Sequence, residues 1–439
     1  MTNAKALRFL LIAALACASK MVSADEPKSV GSVADNVVDL ADSKLVKILT
    51  GRNETLRLRA IAPLKTSVPS KNAALDELLF ALQEHGNQVK GGRPLAHSTT
   101  ELVELIASID QPLAHQALIE MLNCEHMHIS MLCADALGRN QCVDAIEPLK
   151  QLVVHEKWET HYGFRFNLIR ALTLMDHPDA YEFLSQIRRH IDGQLLHELN
   201  QVFKDVTLDD FLGDQDRYDA WKRDSTREPV TRHARKSNSD SIFKNASYSE
   251  SAARIKLQRQ QYYGIDIEAK RLLFVIDHSG SMKANTKSYG RWGTRLGDAK
   301  RALTKAIEEL PEDHEFGIIF YSQSVRMWKP ELVYATAKNK KDATTFVYRL
   351  GVGGSTNTYG ALRASMDFDD DLEAVFVLTD GKPSSGNIVD PGRIVDDIVY
   401  RNRLRHLKIN TIGIAVNDHT KLFLKSLAQR CSGQFTQPE

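Results

Sequence analysis

Five oxygen-bearing side chains sit on turns in the second half of this chain. Asp277, Ser279 and Ser281 belong to the run DHSGSM, residues 277–282. Asp380 opens the turn Asp380-Gly381-Lys382-Pro383. Thr356 lies in the glycine turn Gly353-Gly354-Ser355-Thr356-Asn357-Thr358, which leads into Tyr359-Gly360-Ala361-Leu362. Two carboxylates with several hydroxyls suit a hard divalent cation, which takes oxygen ligands. Each residue alone also has a plain structural use, because Asp, Ser and Thr shape turns and cap helices. Their joint placement is what favours metal ligation.

Strands must deliver the two acids. Leu272 to Ile276 is an unbroken apolar run ending at Asp277, the pattern of a strand buried on both faces of a parallel sheet. Ala374 to Thr379 (AVFVLT) repeats the pattern and ends at Asp380. Loops that follow the carboxyl ends of parallel strands are where open α/β sheets bind ligands.

DHSGSM, GSTNTYGAL and LTDG, in that order, resemble the von Willebrand factor type A domain with its metal-ion-dependent adhesion site. The resemblance runs from Tyr263 to Phe435, less than half of the chain. It implies an α/β doubly wound, mostly parallel, Rossmann-like sheet with strand order 3-2-1-4-5-6, in which the strands carrying Asp277 and Asp380 are neighbours. It further implies that Ser279, Ser281 and Thr356 ligate Mg²⁺ through their hydroxyls, with Asp277 and Asp380 acting directly or through waters. Mn²⁺ or Ca²⁺ would also suit such ligands. An open coordination position would take an Asp or Glu carboxylate from a protein partner.

Elsewhere in this half, Thr294 caps an expected helix with apolar positions Leu296, Ala299, Leu303, Ala306, Ile307 and Leu310, stopped by Pro311. Phe316–Tyr321 and Val325–Trp328 read as a hairpin pair. A polar helix follows over about 335–350, then a helix at 391–406, a strand at 409–416, a helix at 421–429 and a short strand at 434–436. The segment Lys283 to Arg295 reads as a loop whose Lys283, Lys287, Arg291, Trp292 and Arg295 form either a cationic rim or a solvated surface. Asp367 and Asp369 to Asp371 lack calcium-loop spacing and read as solubilising a turn.

Residues 1–24 read as a signal peptide: Lys5 and Arg8, the apolar Phe9–Ala18, and Val22-Ser23-Ala24 as a cleavage site. The apolar stretch is short for a membrane span, so an exported protein is expected, whether periplasmic, cell-surface or secreted. Loss of Lys5, Arg8 and Lys20 would turn the formal net charge from +1 to −2. That balance gives no reason to expect nucleic acid. Cys124, Cys133, Cys142 and Cys431 permit disulfides, with the pairing open, or serve as buried thiols.

Residues 25–213 read as an α-helical domain. Val143–Leu152 matches Pro178–Ile187 at an offset of 35, and Ala136-Leu137 matches Ala171-Leu172 at the same offset. Such a period means stacked helix pairs, and Ile129–Leu152 is similar to a HEAT repeat. Cys124-Glu125-His126-Met127-His128 reads as a surface turn rather than a zinc site. Residues 214–262 have the composition of a polar, mobile linker before the adhesion-type domain at 263–439.

The function expected is a protein-binding module, not an enzyme, with the repeats as a second scaffold. The alternatives are a metal-assisted hydrolase, for which His278 is the local candidate base, and a passive helical scaffold with a structural metal. No nucleic-acid partner and no membrane segment after leader removal are expected.

Overall fold

The computed structural model describes residues 43–88, 95–207, 260–288 and 291–438, with positions 216, 219, 220 and 223. The leader reading and most of the 214–262 linker reading lie outside the described residues. Two compact units form: one contains the residues up to 159 with 167–180, the other 160–166 and the residues from 181 onward.

The first unit is helical. Asn53 caps the helix Glu54–Thr66 by accepting from the Leu56 amide. The helix His97–Ala107 buries Leu102, Val103, Leu105 and Ile106. The helices Met127–Arg139 and Tyr162–Met175 start 35 residues apart, the offset at which the sequence matches itself. Gly138 lies so close to Ala171 that a Cβ would sit 2.6 Å from the Ala171 Cα, so only glycine fits there. The segment 124–126 is the expected turn between two helices, with Glu125 exposed. His126 is buried, and Met127 already begins the next helix. All four cysteines described are free thiols.

In the second unit the strands are β1 (Gln261–Tyr262), β2 (Ile265–Asp266), β3 (Arg271–Asp277), β4 (Asn285–Ser288), β5 (Arg291–Thr294), β6 (Glu315–Tyr321), β7 (Val325–Met327), β8 (Val333–Tyr334), β9 (Ala374–Thr379), β10 (Lys408–Gly413) and β11 (Phe435–Thr436). The main sheet runs β11-β10-β9-β3-β6-β7, with β8 also on β6. The pairings from β11 through β6 are parallel, and β7 and β8 run antiparallel to β6. Thus β3 and β9, which end at Asp277 and just before Asp380, are adjacent.

Side chains alternate across this sheet. Leu272, Phe274 and Ile276 pack on one face with Leu303 and Ile307 of the helix Arg295–Glu309 and Val347 of the helix Ala337–Arg349. Leu273 points the other way, where a Cβ on Gly317 would strike it and Phe368. On that same face Thr411 donates from its hydroxyl to the Leu424 carbonyl of the helix Asp418–Arg430, 2.9 Å. Burial on both faces explains why β3 and β9 read as continuous apolar runs.

Two expectations are corrected. Most of the segment expected as a loop between 283 and 295 folds into the antiparallel ribbon β4–β5. The acids 369–371 do not merely solubilise a turn. Asp371 pairs with Arg165 and Arg271, and Asp370 with Arg405. Beside them a fully buried Glu373 accepts from the Gln194 and Lys270 amides at 2.8 and 3.1 Å and pairs with Arg271. Gln194 belongs to the helix Gly193–Thr207, which is thereby fastened to the starting ends of β3 and β9.

Candidate functional site

At the opposite ends of the same two strands lie the oxygen-bearing turns. Asp277 is fully buried at the end of β3. Its Oδ1 accepts from the Ser279 amide at 2.7 Å and its Oδ2 from the Thr379 hydroxyl at 2.6 Å. The Ser279 and Ser281 hydroxyls stand 3.2 Å apart, and Ser281 donates to Asp380 Oδ1 at 2.6 Å. The structure therefore joins Asp277, Ser279, Ser281 and Asp380 in one connected cluster.

The glycine turn that precedes Thr356 meets the cluster's loop through the backbone. The Gly280 amide donates to the Gly354 carbonyl at 2.7 Å, and the Gly353 amide to the His278 carbonyl at 2.6 Å. These bonds lay the glycine turn along the Ser279–Ser281 turn. Thr356 itself is buried; its amide donates to the Ser384 hydroxyl at 2.9 Å, and its carbonyl accepts from the Ser384 amide, also at 2.9 Å. Asn357 caps the helix Thr358–Met366 that follows.

Three participants have no place in the sequence reading as site residues. Thr379 holds Asp277, Ser384 holds Thr356, and Arg295 donates to Asp380 Oδ2 at 2.8 Å. Thr379 is only the last residue of an apolar run in sequence. Its role depends on the register Ile276↔Leu378, which sets it beside Asp277. Arg295 was visible only as one of several rim cations.

The electrostatics are uneven. Burial pushes the Asp277 carboxyl up to about 6, against the lowering effect of its Thr379 and Ser279 hydrogen bonds, and neighbouring Asp380 adds to the rise. No cation pairs with Asp277 among the described residues, whereas Asp380 has Arg295. Also among the described residues, no three His, Cys, Asp or Glu side chains cluster as a metal site. A cation held here would rely on hydroxyls as well as carboxylates. A buried carboxylate without a countercharge, beside converging hydroxyls, fits a hard divalent ion.

His278 faces away from this cluster. Its Nδ1 donates to the Gly351 carbonyl at 2.9 Å, and its Nε2 is buried without a hydrogen-bond partner. Burial holds its pKa below the usual imidazole value, and the charges of Arg326 and Lys300 act in the same direction.

Residues 272–382 match the von Willebrand factor type A domain family. Inter-alpha-trypsin inhibitor heavy chain H1 of Mesocricetus auratus is 30% identical over 148 residues, 31% of this chain and 15% of that protein. Heavy chain H2 of Homo sapiens is 28% identical over 130 residues, 30% of this chain and 12% of that protein. This chain thus corresponds to a small part of those relatives' length. Among solved structures, a von Willebrand factor type A protein from Catenulispora acidiphila shares 22% identity, 40% of each chain and a TM-score of 0.33. The PilB minor pilin of Streptococcus sanguinis shares 18% identity over 40% of this chain and 59% of its own, at a TM-score of 0.30.

Proposed function

We propose that this chain, whose residues 272–382 are a von Willebrand factor type A domain, is an exported protein-binding module that holds Mg²⁺ between Asp277, Ser279, Ser281, Thr356 and Asp380. The observation that carries the reading is Asp277, a buried carboxylate with hydroxyl and amide partners but no cation among the described residues, set against a second acid and two serines. When bound, the cation supplies a positively charged open position for an acidic side chain of a partner protein. The chain's own residues prepare that position. Thr379 and the Ser279 amide fix the Asp277 carboxylate, Ser281 spans to Asp380, and the Gly353–Gly354 backbone is bonded to the 278–280 turn two residues before Thr356.

Binding, not catalysis, is what the residues support. His278, the one local candidate base, turns its ring toward Gly351 and the cavity behind the glycine turn rather than toward the oxygen cluster. The matched relatives are named as heavy chains of an inhibitor, not as enzymes. The helical segment within 25–213 serves in this reading as a HEAT-like second scaffold, before a linker and the domain at 263–439.

The test is capture of partners from the host's exported fraction with Mg²⁺ or with EDTA, wild type beside Asp277→Ala. Partners retained by the wild type in Mg²⁺ and lost in both other arms are expected. Capture indifferent to chelator sinks the reading.

A further inference from the structure

Behind the glycine turn, on the side away from Asp277, lies a cavity of about 430 Å³. Its walls come from the β6–β7 turn, the end of the helix Ala337–Arg349, and residues 350–354. Arg326 and Arg349 both line it, and neither forms an ion pair among the described residues. Among the described residues no carboxylate lines it. Lys300 adds a third positive charge nearby, with its ammonium on the carbonyls of Tyr348 and Leu350. Phe346, Leu350 and Val352 supply an apolar wall, and Ser322 and His278 a polar one. His278 is buried, and its Nε2 has no partner.

Two unpaired guanidiniums facing one cavity leave positive charge that the fold itself does not neutralise. Arginine matches carboxylates and phosphates through paired N–H donors. The apolar wall decides between them. A bare inorganic anion would leave Phe346, Leu350 and Val352 wet, whereas a carboxylate on a short apolar stem covers them. The volume is within the range of small-ligand sites.

We propose that this cavity is a second acid-binding site, independent of any metal, that takes a carboxylate on a short apolar stem between Arg326 and Arg349. Such a group is found both on a free dicarboxylic acid and on a glutamate side chain. The cavity shares the Gly353–Gly354 wall with the Ser279–Ser281 turn, so a ligand here lies next to the oxygen cluster without touching Asp277.

The experiment titrates the full chain, in EDTA so that no divalent cation contributes, with glutarate, N-acetylglutamate amide and inorganic phosphate, read by calorimetry. Saturable binding of glutarate or N-acetylglutamate amide is expected, and the stronger of the two identifies the source. Arg326→Gln/Arg349→Gln together should weaken it by about tenfold or more. Lys338→Ala, an exposed cation of the same helix outside the cavity, should leave it unchanged. Both arginines are exposed, so the double variant should keep its melting temperature. Absence of binding by both carboxylates, phosphate binding as tightly as they do, or an unaffected double variant would each overturn the assignment. Because EDTA is present throughout, these outcomes are separate from the fate of the metal reading.

Discussion

Asp277 must be ionised to hold a cation, and its burial makes ionisation costly. In the metal-free protein its carboxyl is raised from 3.8 to about 6. The fold therefore binds this proton more tightly than the unfolded chain does, so its contribution is fully present below pH 3.8 and is lost as pH rises through 6. The loss is on the order of 3 kcal/mol. A bound cation reverses the sign, because it favours the ionised acid. The Mg²⁺-induced rise in melting temperature should be large at pH 7.5 and nearly absent at pH 5, which thermal scans at the two pH values measure directly. Thr379→Val removes the hydroxyl that supports the ionised form and should weaken Mg²⁺ by about tenfold. Arg295→Leu should do the opposite. It removes a cation already on Asp380 and should tighten Mg²⁺ roughly two- to fivefold, the worth of a part-exposed ion pair. Titrations of the two variants that move in the same direction would refute this division of roles. Asp277, Ser279 and Ser281 were legible because their spacing is local. Thr379 and Arg295 were not, because each meets its partner only through strand register or a helix start.

Among the elements, the glycine turn governs both the oxygen cluster and the cavity behind it. A Cβ on Gly353 would lie 2.6 Å from Ser322 Cβ and 3.0 Å from the His278 ring. Gly353→Ala should therefore destabilise the unit by about 1–3 kcal/mol through overpacking, as read from urea unfolding, and should displace Thr356 as well. Strands β3, β6 and β9 could be read from sequence because a strand covered on both faces has no polar alternation to confuse it. The ribbon β4–β5 could not. Its four-residue strands lack a hydrophobic period, and only their pairing with each other defines them. The helix start at Thr294 was clear in sequence because the cap residue and the turn it closes are neighbours.

Across the whole molecule, the far end of the sheet is closed by Glu373, which gathers Arg271 and the amides of Lys270 and Gln194. Burial pushes its carboxyl up to about 7 against the pull of Arg271. Glu373→Ala leaves Arg271 its pairs with Asp192 and Asp371 but strips the Gln194 and Lys270 amides of their acceptor, and should cost about 1–3 kcal/mol for each amide left unsatisfied, measurable by chemical denaturation. Nothing in the sequence announces this closure. Arg271 and Glu373 look like ordinary strand flanks, and Gln194 precedes them by a long stretch of chain. Gly193 admits the contact because its φ of +58° and missing side chain leave room for the carboxylate, which a Cβ would strike. The fastening has a consequence for proteolysis. The helix Gly193–Thr207 and the sheet are parts of one compact unit although residues 208–259 separate them along the chain. A single cut anywhere in that interval should therefore yield two fragments that travel together on a sizing column, parting only when denaturant or a Glu373 variant loosens their grip.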